Sequence, residues 1–231
     1  MRRINRVKQP KITGDSSLLL SRLSGDNGVG PTGTWFDISG SNNGTPNNPG
    51  VLSSFYFRGG NSGTGTDDMV TTAFVGMNPA TSAWTLELWC TRDAGELGQV
   101  TLAGCRNHSP NGGWILRENA TLVSGPIDFD CPYYTNAPDV IPDIVSGLWA
   151  HVVVTRSAGV GVGPGHLTAY LNGAQTYSAS HNYFADGDIF EIAGSTYNRW
   201  TGVIDDVRCY TRGLSADEIL RDFNDGKVAH P

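Results

Sequence analysis

Long apolar runs, strong helix formers and closely spaced cysteines are what this sequence of 231 residues has least of. The longest early apolar stretch, SLLLSRL (Ser17–Leu23), is too short for a secretory leader and is interrupted by Arg22, so no signal peptide or membrane span is expected. The 4 cysteines, Cys90, Cys105, Cys131 and Cys209, are far apart and form no Cys-x-x-Cys pair, which argues against structural zinc. Cys90 and Cys209 fall inside strand patterns and read as small buried apolar residues with free thiols. The histidines His108, His151, His166, His181 and His230 form no His-x-x-x-His pair, and no Ser or Cys stands in a nucleophile-elbow context. The glycine-rich stretch Ser157–Gly165 lacks the Lys-Ser/Thr of a phosphate loop and is followed by a strand pattern, so it reads as a turn. No repeat of fixed period occurs.

Glycine is abundant, at 30 residues, and 12 prolines punctuate the chain. Between them run short alternating segments. Trp84–Arg92 places Trp84, Leu86 and Leu88 on one face and Glu87 and Trp89 on the other. Trp149–Arg156 is nearly all apolar and reads as a fully buried strand, with His151 a hydrogen-bonded structural residue within it. LTAYL and AQTYS flank Asn172-Gly173, the signature of a type I′ hairpin. Ser17–Leu20, SSFYFRGG, DDMVTTAF, QVTLAG, WILREN, GPIDFDC and DIFEIAG are further strand candidates. One helix is expected near the C-terminus: Ser215 as N-cap, Glu218 as its capping-box partner, Leu214 stapling onto Ile219, an apolar face of Ile219, Leu220 and Phe223, and Gly226 as the stop. It is expected to cover an edge of the sheets. The pattern defines an all-β protein of two antiparallel sheets packed face to face, with enough chain for one core that buries roughly 70% of the unfolded surface.

Charge is unevenly placed. Met1–Lys11 holds five cations, Arg2, Arg3, Arg6, Lys8 and Lys11, and no acid. Removing these five from the 16 Lys and Arg leaves 11 against 22 Asp and Glu. A basic arm over residues 1–15 thus precedes an acidic body over residues 16–231. The body repels nucleic acid, and the arm suits docking to an acidic protein surface or else a solvated terminus.

Four stretches carry a family resemblance. GVIDDVRCYTRGLSADEI near the C-terminus, TWFDISGSNNGTP, FYFRGGNSGTGTDDMV, and WAHVVVTR with LTAYLNG stand in the order and spacing of laminin-G-like, concanavalin A-like (pentraxin-like) jelly rolls. The chain resembles that family over Ser16–Asp225, departing most between Cys105 and Pro142. The resemblance implies a single jelly-roll domain with one short C-terminal helix and an extended N-terminal arm. Similar single jelly rolls occur in phage structural proteins. It therefore implies a non-enzymatic structural or binding module, foremost a virion surface component (capsid decoration or tail-associated) folded in a host cytoplasm. Such a module would be anchored to capsid or tail proteins by its arm and adhere to glycans. A carbohydrate-binding adhesin at a cell surface is the alternative, and a glycoside hydrolase the second.

Asp205 and Asp206 stand side by side in a strand pattern, which disfavours Asp. Residue parity groups Asp205 with Val203, Val207 and Cys209, so Asp205 is expected to face the core and pin a loop by accepting backbone N–H groups, and Asp206 to pair with a cation across the sheet. The resemblance adds a calcium reading, with Asp37, Asn42, Asn43 and Asp205 as oxygen donors. Hydrolysis would need a close carboxylate pair. The glutamates Glu87, Glu96, Glu118, Glu191 and Glu218 are scattered, and Asp128 with Asp130 is the nearest approach, without a Glu. Trp35, Trp84, Trp89 and Trp149 fall at positions that the resemblance makes scaffold. Tyr133, Tyr134, Tyr183, Phe184 and Tyr197 lie in loop contexts, where aromatic rings can stack on sugars or pack loops.

Overall fold

The computed structural model describes residues 18–20, 45–47, 57–59, 69–71, 83–94, 99–105, 113–119, 125–130, 137–158, 165–181, 190–194 and 198–231. Their elements run β1 (Leu18–Leu20), β2 (Thr45–Asn47), β3 (Phe57–Gly59), β4 (Met69–Thr71), β5 (Trp84–Cys90), β6 (Gln99–Cys105), β7 (Trp114–Asn119), β8 (Ile127–Asp130) and β9 (Ala137–Ile141). The chain continues with β10 (Ala150–Arg156), β11 (Gly165–Leu171), β12 (Ala174–His181), β13 (Phe190–Ile192), β14 (Asn198–Arg199), β15 (Gly202–Tyr210) and α1 (Ala216–Gly226).

Two sheets form. One has the order β1-β15-β5-β10-β11-β12, with β3 also on β15; the other has β2-β4-β13-β6-β7-β8-β9, with β14 joining β6. All pairs are antiparallel except β14 with β6. β15, last in sequence, lies beside β5, so the sandwich closes only when its C-terminal strand arrives.

The alternation read in β5 holds. Trp84, Leu86, Leu88 and Cys90 enter the core between the sheets, together with Trp114, Leu116, Ile127, Phe129, Val152, Val154, Ile204 and Val207. Trp84 from one sheet stacks on Trp114 from the other, with centroids 5.0 Å apart and planes 8° apart. Phe129 extends the stack at 5.4 Å from Trp114. Large flat rings fill the gap between sheets with two soft torsions each, so much apolar area is buried for little side-chain entropy. Cys90, Cys105 and Cys209 are buried, as expected of Cys90 and Cys209; Cys131 lies outside the described residues.

The Asn172-Gly173 turn has φ of 53° and 78°, as a type I′ turn requires. A Cβ on Gly173 would also stand 3.1 Å from Leu220 and Phe223 of α1, so the turn and the helix constrain each other. The capping box of α1 is present in both directions, Ser215 Oγ accepting from the Glu218 N–H and the Glu218 carboxylate accepting from the Ser215 N–H. Leu214 and Ile219 share a small apolar cluster with Val153, Tyr170 and Tyr210.

Two helix expectations change. α1 does not cover an edge: its cluster partners come from β10, β11 and β15, in the middle of the first sheet, so it lies across that sheet's outer face. Gly226 is not a left-handed stop. It is the last helical residue, its φ is not positive, and it is buried where a Cβ would meet the Trp89 ring at 2.7 Å. Close approach, rather than backbone handedness, explains this glycine.

Candidate functional site

Asp205 and Asp206 mark a β-bulge. Ile204 and Asp205 oppose Cys90 and Trp89, Arg208 opposes Glu87, and so Asp206 and Val207 together face Leu88 alone. Asp206 takes φ of 47°, a left-handed conformation that Asp tolerates better than most residues. Its N–H donates to Asp205 Oδ1 at 2.9 Å, closing the bulge locally. The extra residue resets the alternation, which corrects the parity reading. Val207 and Cys209 face the inter-sheet core, and Asp205 faces the opposite side, towards α1. There Asp205 Oδ2 lies 3.1 Å from His230 Nε2, both groups being about 1% exposed. Through this contact it holds the C-terminal segment against the sheet. Asp206 Oδ2 lies 3.9 Å from Nη2 of Arg208, two residues along its own strand.

Beneath α1 lies a second buried cluster. Glu87 Oε1 meets His151 Nε2 at 3.0 Å and Arg208 Nη1 at 3.1 Å, and Tyr210 donates its hydroxyl to Oε2 at 3.3 Å. Burial works to raise the Glu87 carboxyl, but Arg208, His151 and Tyr210 outweigh it and hold the group below its usual range. Burial and the neighbouring Glu87 push the Tyr210 phenol upward, so it remains a donor. Trp89 is sandwiched among rings: His230 at 4.4 Å and 10°, Phe223 at 5.8 Å and His151 at 4.9 Å. The residues are closed off by the helix, so their chemistry is internal.

The outer face of the second sheet is the other polar surface. Ile127 and Phe129 of β8 point into the core, so Asp128 and Asp130 point away from it. Arg117 of β7 reaches Asp130 Oδ2 at 3.1 Å, with side chains 15% and 12% exposed. Asp128 Oδ1 accepts from the Asp139 N–H at 2.8 Å, which fixes the left-handed residue Asp139 (φ 53°). Arg117 stands opposite Asp128 on one side and opposite Thr101 on the other. Among the described residues the buried Thr101 hydroxyl has no hydrogen-bond partner. Glu191 of β13 shares this face, because Phe190 and Ile192 beside it enter the core. Glu118, next to Arg117, turns the other way. It meets Arg92 Nε at 2.6 Å and accepts from the Gly125 N–H, an ion pair at one end of the space between the sheets. Burial raises the Glu118 carboxyl, and Arg92 opposes it without cancelling it.

Of the candidate metal-binding and hydrolytic residues, Asp205, Asp128 and Asp130 are described. Asp37, Asn42 and Asn43, the rings Tyr133, Tyr134, Tyr183, Phe184 and Tyr197, and the cations Arg2, Arg3, Arg6, Lys8 and Lys11 lie outside the described residues. Trp84 and Trp89 are buried, as expected for scaffold, while Trp149 is half-buried, its ring centroid 4.7 Å from that of His230 at an interplanar angle of 68°; Trp35 is outside the described set. Among the described residues, no group of three or more His, Cys, Asp and Glu is placed to hold a metal ion. Sequence reasoning did not find Arg117, Arg92 or His230. Their partners lie 13, 26 and 25 residues away along the chain, so no local pattern announces them. Nor is any helix among the described residues long and apolar enough to cross a membrane.

A two-sheet sandwich whose last strand lies beside β5 and whose C-terminal helix is capped after the Asp-Asp bulge defines a jelly-roll module. Residues 63–220 match the concanavalin A-like lectin/glucanases superfamily, in its laminin-G type, and the chain belongs to that family. No curated protein matches its sequence. Domain 4 of AbnA, a GH43 extracellular arabinanase from Geobacillus stearothermophilus solved with arabinotriose, is 15% identical with a TM-score of 0.59, over 90% of this chain and 98% of that one. Botulinum neurotoxin type C, whose cell entry depends on two ganglioside molecules, is 14% identical with a TM-score of 0.61 over 90% of this chain. Trypanosoma rangeli sialidase is 17% identical with a TM-score of 0.61 over 89% of this chain. This chain spans about half of the toxin chain and a third of the sialidase chain. At such identities the likeness is one of fold.

Proposed function

We propose that the chain is a non-catalytic binding module that recognises glycans on the outer face of its second sheet. The observation that carries the reading is how five buried acids are engaged. Glu87, Glu118, Asp130 and Asp205 are each within 3.1 Å of Arg or His nitrogen, and Asp128 holds a backbone N–H. Glycoside hydrolysis needs one carboxyl kept as an acid and another left open as base or nucleophile. Ion-paired carboxylates suit neither task. They suit orientation of hydroxyl groups, since a charged pair at a surface offers fixed donors and acceptors. Arg117 and Asp130 are the partly exposed pair on that face. The arabinotriose in the AbnA domain structure and the gangliosides of the toxin support the ligand class by likeness of fold.

Binding of the full chain to a glycan array is the test. Expected is retention of at least one glycan family, reduced tenfold or more by Arg117→Ala with the fold intact. An empty array contradicts the reading, and binding that ignores Arg117 moves the site elsewhere.

A second reading concerns anchoring. Five cations within Met1–Lys11 against an acidic remainder favour docking of the arm to a larger acidic assembly, such as a virion. Deleting residues 2–11 should abolish incorporation into the native particle and leave thermal unfolding unchanged; unaltered incorporation contradicts it. Calcium bound by Asp37, Asn42, Asn43 and Asp205 would show as a lower melting temperature in EDTA, and an unchanged melt removes it.

A further inference from the structure

The edges of the two sheets differ in how they are protected. A strand at a sheet edge presents unpaired N–H and C=O groups, and proteins usually blunt it with proline, charge or shortness. In the second sheet, β2 carries Pro46 and β9 carries Pro138 and Asp139. β12, at the end of the first sheet, has none of these devices. It is eight residues long, AQTYSASH, with no proline, glycine or formal charge. Among the described residues it is hydrogen-bonded as a strand on one side only, to β11.

The absence of charge extends further. No Asp, Glu, Lys or Arg occurs from Ser157 to Ala185, in a chain that is 16% charged. The hairpin β11–β12 therefore lies in the longest stretch without formal charge, within a body that is acidic in net. Two copies repel each other over most of their surface and meet there at the least electrostatic cost.

The strand is also regular where it matters. The register shift lies between Ala169 and Tyr170, close to the turn, and the stretch Tyr177–His181 pairs in register with Gly165–Ala169. Thr176 Oγ1 donates to the Val140 carbonyl at 2.6 Å, tying β12 to the neighbouring edge β9 of the second sheet. Ser178 and Ser180 are exposed, small side chains that offer no steric barrier.

We infer that β12 is a pairing edge for a second copy of this chain. Two β12 strands run antiparallel, as two-fold symmetry demands of a strand meeting its own copy, and join the two first sheets into one continuous sheet. The main-chain groups of Tyr177–Ser180 supply the hydrogen bonds, and like residues face like without charge repulsion. Such a dimer presents both Arg117–Asp130 faces at once, which multiplies weak binding to a repetitive surface.

Sedimentation of the full chain over micromolar concentrations tests this. Expected is a particle of twice the 24.7 kDa chain mass, converted to single chains by the double substitution Ser178→Lys and Ser180→Lys, with thermal unfolding of the variant still cooperative. Wild-type chain that remains single throughout overturns the inference, as does a dimer that survives both lysines. A measurement on the unaltered protein guards against a variant that fails to fold. Amide exchange across Tyr177–Ser180 should quicken on dilution while that of β10 does not; exchange indifferent to dilution overturns the inference equally.

Discussion

The space between the sheets and the layer beneath α1 both exclude water, yet they are filled with opposite chemistry. Between the sheets stand Trp84, Trp114, Phe129 and aliphatic side chains, with the Arg92–Glu118 pair at one end. Beneath the helix stand Glu87, His151, Arg208, Tyr210, Asp205 and His230 around the Trp89 ring. Sheet-on-sheet packing is broad, and apolar contact over that area suffices to hold it. An 11-residue helix with only Ile219 and Gly226 fully buried has little such area. Its placement on the sheet depends on directional bonds, and those need partners that fit one geometry. The difference teaches that buried charge in this fold works as location. It fixes where the helix and the C-terminus sit, while the apolar core supplies the bulk of the stability.

That comparison can be broken or sharpened by substitution. The largest effect is expected for Trp84→Ala, which opens the inter-sheet stack; urea unfolding should register a loss of about 3–5 kcal/mol. Arg208→Met leaves Glu87 buried with one cation fewer and should cost about 3 kcal/mol, whereas Glu87→Leu with Arg208→Met should recover most of the loss. If the single change costs nothing, the cluster does not specify the helix position. Gly226→Ala drives a methyl into Trp89 and should cost about 1–3 kcal/mol, with a change in tryptophan fluorescence as the helix end lifts. Milder folding loss with unchanged fluorescence would mean that α1 is less closely seated than its contacts indicate.

The smallest effect is electrostatic and depends on pH. Arg212 and the Ser215 N–H hold the Glu218 carboxyl down to about 2. The folded value lies below the ordinary 4.5, so the contribution is complete above pH 4.5 and is lost as pH falls towards 2. Urea midpoints of wild type and Glu218→Gln should therefore differ near neutrality and converge in acid. A gap that persists at pH 2 would assign the effect to the cap geometry instead.

How much of this was legible follows the range of each signal. β5, the Asn172-Gly173 hairpin and the Ser215–Glu218 cap were readable because alternation, turn chemistry and capping act within a few residues. The face of Asp205 was not, because one left-handed residue at Asp206 shifts the parity of everything before it relative to everything after. Asp-Asp within a strand was itself the available clue, since Asp is among the residues that accept that conformation. β9 escaped notice because Pro138 and Asp139 disguise it, and Asp139 is held by Asp128 from the adjacent strand. Arg117 and His230 gain meaning only through partners brought by the sheet or the helix. The candidate site was thus legible in its residue types and hidden in its pairings.

The most direct measurement of the central claim follows both retention and cleavage on one immobilised glycan panel. The account predicts that the protein is retained on some glycans, releases no reducing ends during long incubation, and loses retention in Asp130→Ala. Sugar release that disappears in Asp128→Ala would contradict it, because it would turn a paired acid into a working one.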